Sequence, residues 1–349
     1  MADGGFAAEI LKRSAGGYAG AAASLLLEAR PELKAQAGAL DAWKGHLTQR
    51  VVELSAALSV NEPVLFSERV RWSRKTFAAR NQDEQMIAAS LGCLRDVLQE
   101  SLPAQAKVAV DYMSQALDQL GEPAPDEDPC ELNPDDPAGS LALRYLQSAL
   151  EGDSYAASQQ VLDAVSDEFD AKALMLDVLL PAQKEIGRLW HTNEVSVAEE
   201  HMVSATTRRT MSLLTHQTKA APAKGATVIS ACVPGNIHDI ALRALADIFQ
   251  LEGWRSLFVG ADTPVDDLAS LIASLDADVL LLGGTLSTQI SGSREAIKAV
   301  RHQCGDKVRI MLGGAAFDEV PEIWRELGAD AYAANADEAL RIALQLIKK

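Results

Sequence analysis

The sequence predicts a helical N-terminal region, then a four-helix bundle, then a C-terminal doubly wound parallel α/β domain. Three observations carry this. Between Phe6 and Leu120 apolar residues recur at helical spacing and strand-like runs are absent. From Ser140 to Gln217 the helical period continues in four blocks. From Ala226 onward, short apolar runs alternate with helical segments, the pattern of strands buried on both faces of a parallel sheet.

In the first region Val51, Leu54 and Leu58 mark one apolar face, and Ile87, Leu91, Leu94 and Leu98 another. Asn61-Glu62-Pro63 and Ser101-Leu102-Pro103 read as helix boundaries, and about five helices are expected. Residues 121–138 hold five of the thirteen prolines and seven carboxylates. With few backbone donors and many like charges, this stretch is expected to be an extended linker. In the bundle, 139–222, Leu141–Leu150 ends at Glu151-Gly152-Asp153, and Ser154 is the expected cap of the next helix. The third helix runs from near Ala171 to Trp190 with a kink at Pro181. The fourth opens at Ser196, where Glu199 completes a capping box. In the last domain, 223–349, strands are expected at Val228–Cys232, Leu257–Val259, Val279–Leu282, Ile310–Leu312 and Ala331–Ala333. Helices are expected near Ile240–Leu251, Val265–Leu275, Arg294–Arg301, Val320–Leu327 and Glu338–Ile347.

The 349 residues are enough for two or three domains at about 100–200 residues each. A formal net charge of −17 with no dense basic stripe argues against binding nucleic acid or anionic membrane surfaces. No apolar run approaches the roughly 18 residues of a membrane span. The four cysteines are scattered without a C-x-x-C pair, which fits a reducing, cytoplasmic setting.

Ligands on doubly wound sheets sit beyond the carboxyl ends of the strands, at the topological switch point. The loop after the first strand reads Val233-Pro234-Gly235-Asn236-Ile237-His238-Asp239-Ile240-Ala241. Pro234 and Gly235 force a turn, Asn236 is the expected helix N-cap, and His238 projects from the loop–helix junction. The next strand tips carry Asp262-Thr263, Gly283-Gly284-Thr285-Leu286-Ser287 and Gly313-Gly314. Small residues at every tip are expected to leave a slot, and neither G-x-G-x-x-G nor the P-loop pattern is present.

This loop resembles the cobalamin-binding domain of cobalamin-dependent methionine synthase, a flavodoxin-like fold with the pattern D-x-H-x-x-G, S-x-L and G-G. Here the blocks are Asn236-x-His238-x-x-Ala241, Gly284-Thr285-Leu286 and, after twenty-six intervening residues, Gly313-Gly314. The resemblance implies that His238 is the lower axial cobalt ligand. It further implies that Gly235, Asn236, Asp239, Ile240, Asp262, Thr263, Gly283, Gly284, Thr285, Leu286, Ser287, Gly313 and Gly314 surround the cofactor and its nucleotide tail. Asn236 stands where the family has aspartate, so no carboxylate polarises the imidazole, although the amide is expected to orient it. Gly284 replaces the serine and Ala241 the last glycine.

Trp190-His191, then nine residues from Trp190 to the pair Glu200-His201, resembles the adenosylcobalamin photoreceptors of the CarH type. That resemblance implies a bundle cap in which Trp190, Glu200 and His201 line the pocket of the adenosyl group. His191 then takes the upper cobalt position once light has removed that group. Taken singly, Trp190 reads equally well as core, His191 as a helix-end residue, and Glu200 and His201 as a solvated face. The N-terminal 1–120 lacks the basic DNA reader of those repressors and looks more like the photocobilins, which also bind a bilin such as biliverdin. Trp43, His46, Phe66, Trp72, Phe77 and Tyr112 are candidates for a chromophore pocket and, more simply, for core; Cys93 reads as a small buried hydrophobe.

The implied function is a light sensor using adenosylcobalamin, not an enzyme, signalling as a homo-oligomer, dimer or tetramer, or to a protein partner. Two alternatives stay open: a corrinoid carrier of a methyltransferase system, and a light-independent cobalamin sensor.

Overall fold

The computed structural model describes residues 2–120, 129–166 and 169–348. It divides into two compact units, residues 1–126 with 286–291, and residues 127–285 with 292–349.

The first unit is helical. Its main helices are α1 (Ala2–Ala29), α2 (Ala39–Ser59), α3 (Pro63–Ala79), α4 (Gln85–Ser101) and α5 (Val108–Leu120), with a short helix at Pro31–Lys34. The proline boundaries fall as the sequence predicts, because proline is tolerated in a first helical turn and excluded from an interior. Leu11, Leu26, Leu47, Leu54, Leu58, Phe66, Ile87 and Leu91 are fully buried. A buried ion pair ties this core together: Arg50 Nη2 lies 2.9 Å from Glu53 Oε1, and Nη1 donates to the Arg69 carbonyl at 3.1 Å and to Ser73 Oγ. Burial pushes the Glu53 carboxyl up and the Arg50 guanidinium down, a desolvation cost that the shared hydrogen bonds on α3 offset.

The second unit contains the bundle and the sheet. The bundle helices are α6 (Pro137–Leu150), α7 (Ser154–Asp163), α8 (Leu180–His191) and α9 (Val197–Gln217). Asp153, not Ser154, caps α7, accepting from the Ala156 amide at 2.9 Å. The helix expected to kink at Pro181 instead widens ahead of it. A turn at Ala171–Ala173 leads into a π-helical stretch, Leu174–Leu179, and Pro181 sits in the first turn of α8. Proline has no N–H for the carbonyl four residues back and its ring crowds that carbonyl, so a wider turn relieves both.

Residues 121–128 of the expected linker lie outside the described residues. Residues 129–136 form no helix or strand, yet they are not a free tether. Leu132 is buried in the bundle core, Glu131 pairs with Lys184 at 2.5 Å, and Asn133 lies against Gly139 so closely that a Cβ there would meet the Asn133 carbonyl. One apolar residue among the charges is enough to dock the segment.

The sheet is parallel and five-stranded: β1 (Thr227–Cys232), β2 (Arg255–Gly260), β3 (Val279–Gly283), β4 (Arg309–Gly313) and β5 (Ala331–Tyr332), ordered β2-β1-β3-β4-β5. β3 is buried at every position, as its unbroken apolar run requires. The connecting helices are α10 (Ile240–Leu251), α11 (Val265–Leu275), α12 (Ile290–Cys304), α13 (Ala315–Asp318), α14 (Ile323–Leu327) and α15 (Ala336–Leu346). The helix expected at Val320–Leu327 starts only at Ile323, past Pro321, and the short α13 ahead of it was not expected. The order reverses between β1 and β3, so the switch point lies at their carboxyl ends.

Bundle and sheet share a core. Ile240, Ala244 and Ile248 of α10 and Ala336 of α15 are buried among Leu141, Tyr145, Val178 and Met211. Inside the bundle, Tyr145 Oη pairs with Thr207 Oγ1 at 2.9 Å, and burial pushes the phenol up to about 12. No helix among the described residues is long and apolar enough to cross a membrane.

His46 gives the first unit a distinct acid response. Burial and the neighbouring Arg50 lower its imidazole to about 4, so the folded state resists protonation while the unfolded chain binds a proton near 6.5. Stability is therefore full above 6.5 and falls as pH drops toward 4. Urea denaturation of the wild type is expected to lose about 1–2 kcal/mol between pH 7 and pH 5 from this group, and His46→Phe to lose less.

Candidate functional site

The site begins with the loop after β1. Asn236 is 1% exposed, and every polar group of its side chain is spent on backbone: Oδ1 accepts from the His238 amide at 3.0 Å, and Nδ2 donates to the Gly283 carbonyl at 3.0 Å. It is neither a helix cap nor an orienter of the imidazole, as the sequence suggested. It pegs the loop to the end of β3. The N-cap position of α10 belongs to Asp239. Gly235, at φ 79°, makes the reversal, and its amide donates to Asp262 Oδ1 at 2.7 Å; the Asp262 amide donates back to the Asn236 carbonyl at 2.9 Å. The buried Thr263 and Asp262 thus stitch the β2 tip to the β1 loop.

Held between these anchors, the His238 side chain is exposed and its ring has no hydrogen-bond partner among the described residues. Ile237 beside it is 68% exposed, an apolar side chain that sequence reasoning passed over. Its signal was in the pattern: an isoleucine in a loop with no apolar period to place it in a core.

The glycines fall into two classes. A Cβ at Gly235 or at Gly260 (φ 107°) would meet no atom within 4 Å. Gly283 and Gly284 are already filled against: a Cβ would lie 3.1 Å from Leu242 Cδ2 and 2.9 Å from Phe317 Cε2 respectively. Gly314, at φ 100°, would put a Cβ 2.5 Å from the Gly284 carbonyl, and a Cβ at Gly313 would lie 3.1 Å from the Ala333 carbonyl. The expected slot at every strand tip is therefore open at the β1 and β2 tips, whereas Gly283 and Gly284 admit the side chains of Leu242 and Phe317, and Gly313 and Gly314 allow close approach of backbone. Ser230 Oγ, two residues before the end of β1, is buried without a partner. Leu286 and Ser287 belong to the segment that groups with the first unit, and Thr285 is half-buried.

The other predicted set flanks the turn at residues 192–196. Trp190 and His191, both half-buried, end α8, and Glu200 and His201 open α9. Arg188 locks this helix end: it meets both Glu185 carboxylate oxygens at 2.8–3.1 Å and Glu194 at 3.3 Å, which pushes the guanidinium up. Ser196 and Glu199 form the expected capping box, and the Ser196 amide holds the Glu199 carboxyl below its ordinary range. Glu200 is committed on both oxygens, one 2.6 Å from His201 Nδ1 and the other accepting from Ser204 Oγ at 2.5 Å. No group of three or more potential metal ligands occurs among the described residues.

In the first unit, three of the six candidate aromatic residues cluster. Trp43 and Phe77 lie 5.6 and 5.4 Å from His46, ring centre to ring centre. Phe66 is core, and Trp72 stacks under Arg69 at 6.0 Å. Tyr112 is half-buried, and burial raises its phenol. Cys93 is half-buried, and burial raises its thiol.

Residues 226–343 match the family described as B12 binding domain, and residues 141–215 match a second family of the same description. The chain carries a B12 binding domain. Its relatives include dimethylamine corrinoid protein 3 of Methanosarcina mazei, 29% identical over 130 residues, 37% of this chain and 76% of that protein. Dimethylamine corrinoid protein 3 of Methanosarcina acetivorans is 25% identical over 195 residues, 54% of this chain and 90% of that protein. The monomethylamine corrinoid protein of Methanosarcina barkeri has the same fold, with a TM-score of 0.51 at 22% identity over 59% of this chain and 98% of that one.

A cobalt corrinoid is thus the cofactor class of this domain, and the residues fit it. There is an exposed imidazole with unspent nitrogens, an exposed apolar neighbour, open space over Gly235 and Gly260, and an unpartnered hydroxyl on β1. Restoring the motif's aspartate by Asn236→Asp removes the donor to the Gly283 carbonyl and sets a carboxylate against it. Urea unfolding of the cofactor-free protein is expected to show a loss of about 1–3 kcal/mol, and unchanged stability would contradict the peg.

Proposed function

We propose that the protein is a corrinoid carrier: it holds a cobalamin with cobalt against His238 and presents it to a protein partner that loads or removes an alkyl group. The observation that carries this reading is the free imidazole of His238, offered at the switch point of a chain whose relatives are dimethylamine corrinoid proteins. When bound, a cobalt corrinoid supplies a metal–carbon bond that can be made and broken. The chain's own residues bind and position. His238 provides a ring nitrogen that has no hydrogen-bond partner among the described residues. Asn236 and Asp262 keep its loop fixed before the cofactor arrives, which spares ordering entropy on binding. Gly235 and Gly260 leave room for the nucleotide tail.

Purified protein titrated with methylcobalamin is expected to bind it with a visible spectrum different from the free vitamin's. His238→Ala is expected to bind about tenfold or more weakly and to lose that difference. Equal uptake with an unchanged spectrum would remove the ligand role.

A second reading, an adenosylcobalamin light sensor, is favoured by one observation: Trp190, His191, Glu200 and His201 flank a single, firmly capped turn. Green light on the adenosylcobalamin-loaded protein is then expected to change both its absorbance and its association state, the first in a way that His191→Ala alters. A loaded protein whose association state ignores light supports the carrier.

A further inference from the structure

Next to the proposed cobalt ligand, the bundle reaches across to the sheet domain through Arg208. Arg208 of α9 donates from Nε at 3.1 Å and Nη2 at 2.8 Å to the same oxygen of Asp239, the residue that follows His238. Asp239 stands at the N-cap of α10 yet makes no side-chain capping bond. An aspartate there ordinarily turns back onto first-turn amides, an interaction of about 1 kcal/mol. Here it is turned away to a guanidinium from the other layer. Its side chain is 16% exposed, so the pair is not freely solvated on the carboxylate side.

The surroundings give this contact leverage. Ile240, directly after Asp239, is buried in the bundle core with Ala244 and Ile248. His238 is therefore bracketed: Asn236 on one side ties the loop to the sheet, and Asp239 on the other ties it to α9. The same helix carries Glu200 and His201 two turns earlier, about 12 Å along its axis.

We propose that Arg208 is a positioning residue for His238: by holding Asp239 against α9 it makes the share of bound cofactor ligated by His238 depend on where the bundle sits. The inference rests on the reading that His238 ligates cobalt. It makes α9 a rod that couples the bundle's own residues to the lower ligand.

The test compares cofactor-free Arg208→Ala, Asp239→Asn and Lys172→Ala in the full chain, each titrated with methylcobalamin at one fixed pH. Lys172–Asp337, 2.5 Å, is another ion pair between bundle and sheet, placed at the edge strand's end of the sheet, away from the β1 loop. Arg208→Ala and Asp239→Asn are expected to lower the ratio of ligated to unligated cofactor, read from the visible bands, by about threefold to tenfold. Lys172→Ala is expected to leave the ratio unchanged, and Arg208→Lys to fall between. A ratio in Asp239→Asn equal to that of the wild type, or an equal shift in Lys172→Ala, overturns the inference while leaving His238 as ligand. Identical spectra for wild type and His238→Ala overturn the ligand assignment itself, and the inference with it.

Discussion

The site depends on one buried amide. A loop that offers the proposed cobalt ligand must keep its backbone still while its imidazole has no partner among the described residues. Asn236 does this by spending its whole side chain on backbone, from the His238 amide to the Gly283 carbonyl. A carboxylate in its place would accept but not donate, and the bond across the switch point would become a repulsion. The neutral residue stabilises the loop through both of these bonds. Where this chain departs from the methionine synthase pattern, the substituted residue holds the backbone.

The second constraint is that the bundle is not a separable lid in this structure. α10 presents one face to the sheet and another to α9, so Leu242 and Phe249 pack under the sheet while Ile240, Ala244 and Ile248 complete the bundle core. A helix apolar on two faces is what a strand–helix–bundle sandwich requires. Any motion of bundle against sheet must therefore open apolar surface or shift the helix that begins beside His238.

The elements themselves were legible because their periods are strong. The spans of α10 and α11, and the buried run of β3, follow from spacing alone. Reading failed where a local choice was settled by a neighbour remote in sequence. Asp153 and Ser154 both have capping side chains, and chain geometry selected the first. The stretch expected to be an extended linker contains Leu132, for which only the folded bundle supplies a pocket. Pro181 announced a break, but a widened turn and a sharp kink satisfy the missing hydrogen bond equally well on paper.

The sequence by itself determined the parallel sheet, the helical partition and the position of His238, since hydrophobic period and a Pro-Gly turn act over a few residues. Tertiary structure alone decided what those residues do. It divided the glycines into open ones at 235 and 260 and packed ones at 283, 284, 313 and 314. It also gave the N-cap position to Asp239 in place of Asn236 and paired its carboxylate with Arg208. A glycine's letter records that a side chain is absent, whereas only the surrounding chain shows what occupies the space.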